Sequence, residues 1–373
     1  MNDWNRENAV CVYRLDLTGE PTDADFAKGA YELLRAMAPD PAGRKVFIKP
    51  NIVIACSPDS GIVTHPAFVA GILDYLEETG VQPADVAMGD ASGIEEPGVM
   101  EQVFRETGYE QLARDRGVRL MDLNDDPGVR LPVPDGHVFS EIGVARCVAA
   151  EGRYLINTPK LKTHNLAVTS LCIKNLQGTV VPVKERHLCA VTSEDVAPDR
   201  RPRPNAPVVG GHPRTKPESE QRRYFRKGSS GLTVWEENWS EKICDLNTMV
   251  HPDLHIIEGI IGRDGTGFNR GANHPTGLVA AGRNPVAVDT VVSSLVGFDP
   301  EDIGYLVRAG ARGLGPNDLA GIRIYELRDG DLQPCDDPGR LAWHPPFNVI
   351  RGWEDLVAED IASIRRKMGA ERA

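Results

Sequence analysis

The chain is predicted to adopt an α/β fold: a doubly wound, mainly parallel sheet with helices on both faces and one basic, Pro/Arg-rich insertion. Two observations predict it. Short apolar runs such as Val46-Phe47-Ile48, Val86-Ala87-Met88 and Tyr154-Leu155-Ile156 alternate with amphipathic segments of helical length, the spacing of βαβ units. Several of these runs also end abruptly in charged or amide residues, as strands do when they deliver side chains to the carboxyl edge of a parallel sheet.

The elements follow in order. Val10 to Leu15 reads as a first strand, and Thr22-Asp23-Ala24-Asp25 opens a helix to about Met37 with acidic residues at its positive end. The strand Lys45 to Ile48 runs into Lys49-Pro50-Asn51, and Pro66, at a first helical position, starts a helix to about Glu78. A strand at Asp85 to Gly89 ends in Asp90-Ala91-Ser92-Gly93. Helices at 97–107 and 109–116 and a strand at 118–123 follow, then a Pro- and Gly-bearing hairpin or edge structure over 128–148.

The densest signal comes next. An apolar strand stops at Asn157, Pro159 forbids a regular continuation, and Lys160, Lys162, His164, Lys174 and Asn175 crowd the next segment. Leu166 to Leu176 is expected to be a helix, which would turn Lys174 towards the earlier lysines. Beyond it, 194–231 carries seven arginines and two lysines with many prolines, a composition suited to a lid, a docking insertion or a disordered tether. It separates a first core part, 1–193, from a second, 232–373. The second part is expected to hold a helix at 234–249, a strand at 254–258, a glycine-rich loop with Arg263, Asp264 and Arg270, and a strand at 278–281. A helix from Pro285 to about Val296, short helices over 300–311, a strand at 322–327 and a C-terminal helix near 353–368 complete it.

With 54 acidic against 42 basic residues the net charge is −12, which argues against non-specific nucleic-acid binding and gives no reason to expect an anionic membrane surface. The first residues have no basic, then hydrophobic, leader pattern, and no stretch approaches the roughly 20 apolar residues of a membrane span, so a cytoplasmic location is expected. Seven cysteines are scattered without a CxxC, so no iron–sulfur cluster is expected.

The ordered segments Ile48-Lys49-Pro50-Asn51, Thr64-His65-Pro66, Gly89-Asp90-Ala91-Ser92-Gly93, Pro159-Lys160-Leu161-Lys162-Thr163-His164, Ile173-Lys174-Asn175-Leu176-Gln177-Gly178, Glu258-Gly259-Ile260 and Asn284-Pro285-Val286-Ala287-Val288-Asp289 resemble the domain-of-unknown-function family 362. The resemblance implies an α/β fold and, in many relatives, an attached ferredoxin-like segment with iron–sulfur clusters. This sequence lacks the cysteine run of such a segment.

The residues point to a small-molecule enzyme, of lyase or isomerase type, acting on a carboxylate- or phosphate-bearing metabolite at the strand exits. His164, Lys160 and Lys162 are the expected catalytic groups, for acid/base work or oxyanion stabilisation. Lys49, Asn51, Ser92, Lys174, Asn175, Arg263 and Arg270 are the expected substrate-binding groups. Two alternatives stand beside this. One is a metal-dependent enzyme holding Fe, Mn, Mg or Zn through His65, Asp90, His164, Glu258 and Asp264. The other is a non-catalytic binding or accessory protein that docks an acidic partner through the insertion. Self-association is compatible with each.

Overall fold

A computed structural model of the chain describes residues 7–92, 97–186 and 234–350. The basic segment 194–231 and the expected C-terminal helix near 353–368 lie outside the described residues.

The strands are β1 (Ala9–Arg14), β2 (Val46–Pro50), β3 (Val86–Asp90), β4 (Arg119–Asp122), β5 (Gly128–Pro132), β6 (Glu141–Ala145), β7 (Tyr154–Thr158), β8 (Lys160–His164) and β9 (Val168–Ser170), then β10 (Leu254–Arg263), β11 (Asn273–His274), β12 (Leu278–Gly282), β13 (Arg323–Arg328) and β14 (Asp331–Pro334). The helices are α1 (Asp23–Met37), α2 (Pro66–Glu78), α3 (Val99–Glu106), α4 (Tyr109–Arg116), α5 (Arg146–Ala149), α6 (Cys172–Asn175) and α7 (Val183–Arg186), then α8 (Val234–Asn247), α9 (Pro285–Leu295) and α10 (Gly304–Ala311).

The main sheet runs in the order β14-β13-β1-β12-β10-β7-β2-β3-β4. The block β10-β7-β2-β3-β4 is wholly parallel, whereas β12 and β14 run antiparallel to their neighbours. Strands from before and after the basic segment therefore pair in a single sheet. β5 and β6 form a separate antiparallel pair, in line with the hairpin expected over 128–148.

Side chains alternate across the sheet with the two-residue period of a strand. In β7, Leu155 joins one core while Tyr154 and Ile156 join the other; in β2, Phe47 and the pair Val46 and Ile48 divide the same way. Phe26, Leu33 and Leu34 of α1 and Phe68 and Ile72 of α2 fill one side. Trp239 and Ile243 of α8, Val288 and Val292 of α9 and Leu306 of α10 fill the other. This is the doubly wound arrangement, with each layer of helices burying one set of alternate strand residues.

Local rules account for the helix starts. Thr22 and Asp25 form a capping box at α1, His65 Nδ1 accepts the Ala67 N–H ahead of Pro66 at α2, and Asn284 accepts the Val286 and Ala287 N–H groups ahead of Pro285 at α9.

Two expectations need correction, both near the polar cluster. The segment after Pro159 is not a loose exit but strand β8, because β10 runs on to Arg263 and offers it a partner edge, with Glu258 opposite Lys160. Nor is 166–176 one helix: the chain reverses after His164, pairs back through β9, and only then forms the single turn α6. Val168, at the start of β9, takes a positive φ of 67°, a conformation no helix interior allows.

Candidate functional site

β2 and β3 end side by side, so Lys49, Asn51 and Asp90 emerge at one edge of the sheet. Lys49 is fully buried; its Nζ lies 2.7 Å from Asp90 Oδ1 and donates to Pro50 O and to Asn175 Oδ1. The second Asp90 oxygen accepts the Ile52 N–H at 2.6 Å. A buried charge needs both an ion partner and hydrogen bonds, and this pair has both. Asn175 adds a second clasp, donating to Lys49 O and to Asn157 Oδ1. Its helix α6 is held from behind by Asp289, whose carboxylate accepts the Cys172 and Ile173 N–H groups at 2.7 and 3.0 Å. Burial pushes the Asp289 carboxyl up to about 7.

These elements enclose a cleft that is open to solvent. Among the described residues its lining carries four basic side chains, Lys49, Lys162, Lys174 and Arg186, and one carboxylate, Asp90. Asn51, Asn175, Gln177 and Ser170 add polar atoms, and Phe268 an aromatic wall. Asn51 Oδ1 is buried and has no hydrogen-bond partner among the described residues.

Lys162 is the unusual member. It is 2 % exposed, its Nζ donates to Ile62 O at 2.9 Å and sits 4.6 Å from the centre of the Phe268 ring, and no carboxylate pairs with it among the described residues. Burial, reinforced by the Lys174 charge, pushes its pKa down to about 7. Lys174 donates to Gln177 Oε1 and lies over the Trp239 ring; Arg186 is tied to Val180 O, Ser92 O and Asn124 Oδ1.

The chain matches, over residues 46–294, the family described as Domain of unknown function (DUF362). The chain belongs to the DUF362 family. Every lining residue of the cleft, from Lys49 to Phe268, falls inside the DUF362 match. A curated relative, a thylakoid-associated protein of Synechocystis sp., is 23% identical over 274 residues, covering 74% of this chain and 70% of its own length. No helix among the described residues is long and apolar enough to cross a membrane.

Of the residues singled out from this DUF362 sequence, Lys49, Asn51, Asp90, Lys162, Lys174 and Asn175 come together in the cleft. The others stand elsewhere. Lys160 is locked to Glu258, Nζ to Oε2 2.5 Å, and both are buried beside His65. Burial lowers the Lys160 and His65 pKa values. His164 Nδ1 accepts the Leu166 and Ala167 N–H groups and closes the β8–β9 turn, with its ring edge-on to Phe268. Ser92 offers its backbone O to Arg186. Arg263 braces the glycine-rich loop by donating to Phe268 O and Asn273 Oδ1, and Arg270 is exposed.

The five metal-ligand candidates are likewise parcelled out: Asp90 to Lys49, Glu258 to Lys160, Asp264 to His274 at 3.1 Å, and His65 and His164 as acceptors of backbone N–H groups. Among the described residues no three His, Cys, Asp or Glu side chains are grouped to hold an ion. Cys11, Cys147, Cys172, Cys244 and Cys335 are buried, Cys11 in one core and Cys172 and Cys244 in the other.

Arg186, Gln177, Gly178 and Phe268 belong to the site as well. Gln177 and Gly178 stood in the segment Ile173 to Gly178 and could have been read there. Phe268 stands in a glycine-rich loop whose arginines carry the evident charge, and a lone aromatic there gives no sequence signal of a cleft wall. Gly267, with φ 74°, brings that loop close enough that a Cβ would meet Thr163 O at 1.9 Å.

Proposed function

We propose that this cleft binds a small carboxylate- or phosphate-bearing metabolite and catalyses proton transfer on it, with Lys162 as the acid/base group. The observation that carries this reading is the lining itself, four basic side chains against one carboxylate among the described residues, in a protein whose net charge is −12. Lys49 is oriented by Asp90, and Lys174 and Arg186 bring their charges to the same cleft, where an anionic terminus would meet them.

Lys162 suits the chemistry. A general base works best with a pKa near the working pH, and a buried lysine pushed to about 7 holds comparable neutral and protonated populations there. The neutral amine takes a proton from a carbon held at the cleft; the ammonium returns it to another atom of the same molecule in an isomerisation, or gives it to the departing oxygen as the C–O bond breaks and the C=C bond forms in an elimination. Asn51 Oδ1, buried and unpartnered among the described residues, favours a substrate with a hydroxyl or amine donor beside its anionic group.

The test is deuterium incorporation. Purified protein is incubated in heavy water with a panel of hydroxy acids, keto acids and sugar phosphates, and C–H exchange is followed by proton NMR. Exchange by the wild type, with loss of at least about a hundredfold in Lys162→Met, supports general acid/base catalysis of the usual size. Equal exchange in both overturns it.

A further inference from the structure

The parallel block β7-β2-β3-β4 has two ends, and the cleft occupies only the carboxyl end. At the amino end the strands enter from Arg153, Lys45 and Asp85, and β4 opens with Arg119. Arg146, at the start of α5, closes the same corner. These residues surround a second pocket, open to solvent, that shares none of its described lining residues with the first.

Its chemistry is amphiphilic. Val46, Val86 and Cys147, all buried, make an apolar floor, with Ala87 and Met121 beside them. Lys45, Arg119 and Arg146 are exposed around it and Arg153 is half-buried. Two carboxylates, Asp85 and Asp126, also line it, and Asp126 is engaged by the Arg146 and Cys147 N–H groups. Among the described residues none of the four cations forms an ion pair with a carboxylate, although surface arginines elsewhere in this acidic chain do so repeatedly, as Arg116 with Asp74 and Arg130 with Glu141 and Glu185. Arg153 Nε is buried and has no hydrogen-bond partner among the described residues. A buried guanidinium donor without a hydrogen-bond partner, and three neighbours without a carboxylate partner among the described residues, surround an apolar floor, as suits an anion with an apolar body.

We propose that this pocket is a second anion-binding site, taking a small ligand that carries a phosphate, sulfonate or carboxylate on an apolar body. It lies roughly 13 Å from the cleft along β2, four residues at strand rise, so one small ligand does not occupy both. The apolar body rests on Val46 and Met121 while the anionic group meets Arg119, Arg146 and Arg153.

The probe is anilinonaphthalene sulfonate, which has both features, titrated by fluorescence at low salt into the intact chain, into Arg119→Glu/Arg146→Glu and into Lys162→Met/Lys174→Met. The first double variant alters two exposed side chains, and its melting temperature verifies folding; Arg119→Gln/Arg146→Gln removes the charges without reversing them. The expected result is saturable binding to the wild type, weakened about tenfold or more by the charge reversal, less by the glutamine pair, and retained in the lysine variant. Absence of saturable binding, equal affinity in the charge-reversed variant, or loss confined to the lysine variant would each overturn the proposal.

Discussion

Lys160 Nζ lies 2.5 Å from Glu258 Oε2 across the β8–β10 ladder, while Lys162, two residues further along the same strand, has no carboxylate partner among the described residues. One carboxylate thus divides two lysines of one strand between two roles. Lys160 becomes part of the framework, fully desolvated and neutralised; Lys162 is left as a buried amine that titrates near neutrality.

Lys160→Met is therefore expected to act on stability. Removing one member of a buried pair strands the other, at a cost of about 3–5 kcal/mol, whereas replacing both members with apolar groups is much milder. Urea denaturation should show Lys160→Met well below the wild type and Lys160→Met/Glu258→Met partly restored. A Lys160→Met protein of wild-type stability would show that the pair is not holding β8 to β10.

Lys162→Met is expected to do the reverse at neutral pH. The folded-state pKa of about 7 lies below the roughly 10.4 of an unfolded lysine, so the unfolded chain binds the extra proton between those values. Wild-type stability consequently rises as pH increases from about 7 to 10, and below pH 7 the burial of Lys162 costs on the order of 4 kcal/mol. Lys162→Met removes that cost, so its stability advantage over wild type should be largest at and below pH 7 and shrink towards pH 10. Equal pH slopes in the two proteins would contradict an amine depressed by burial.

Gly178→Ala probes the wall of the cleft. A Cβ there would lie 2.2 Å from Asp90 Oδ1 and 3.0 Å from Lys49 Cε, atoms already fixed by their own ion pair. Overpacking of this kind costs about 1–3 kcal/mol, and the displaced Lys49–Asp90 pair should weaken phosphate binding, measured by calorimetry, by about tenfold. Unchanged binding would place the ligand away from this wall.

The sequence made the sheet, most helix limits and half of the cleft legible for one reason: strand ends expose their polar residues where the chain itself changes character. Lys49, Asn51 and Asp90 each stand at such a change, and Lys174 and Asn175 follow soon after. The separate fates of Lys160 and Lys162 were not legible, because a strand puts residues two apart on the same side and the deciding partner, Glu258, stands 98 residues later in the chain. His164 looked suited to acid/base work by its ordinary pKa, yet its Nδ1 is spent on the β8–β9 turn. That hairpin could not be anticipated from Leu166 to Leu176, whose apolar spacing fits a helix until β8 is known to need an antiparallel neighbour.

The central claim is an anion cleft governed by a lysine that titrates near neutrality, and the most direct measurement is an NMR titration of protein labelled at lysine Cε, with Lys162 assigned by its absence from Lys162→Met. A resonance titrating near pH 7, moving to higher pH when inorganic phosphate is added because a bound anion favours the ammonium, is the predicted result. A Lys162 resonance that titrates at the ordinary lysine value of about 10.4 and ignores phosphate would contradict it.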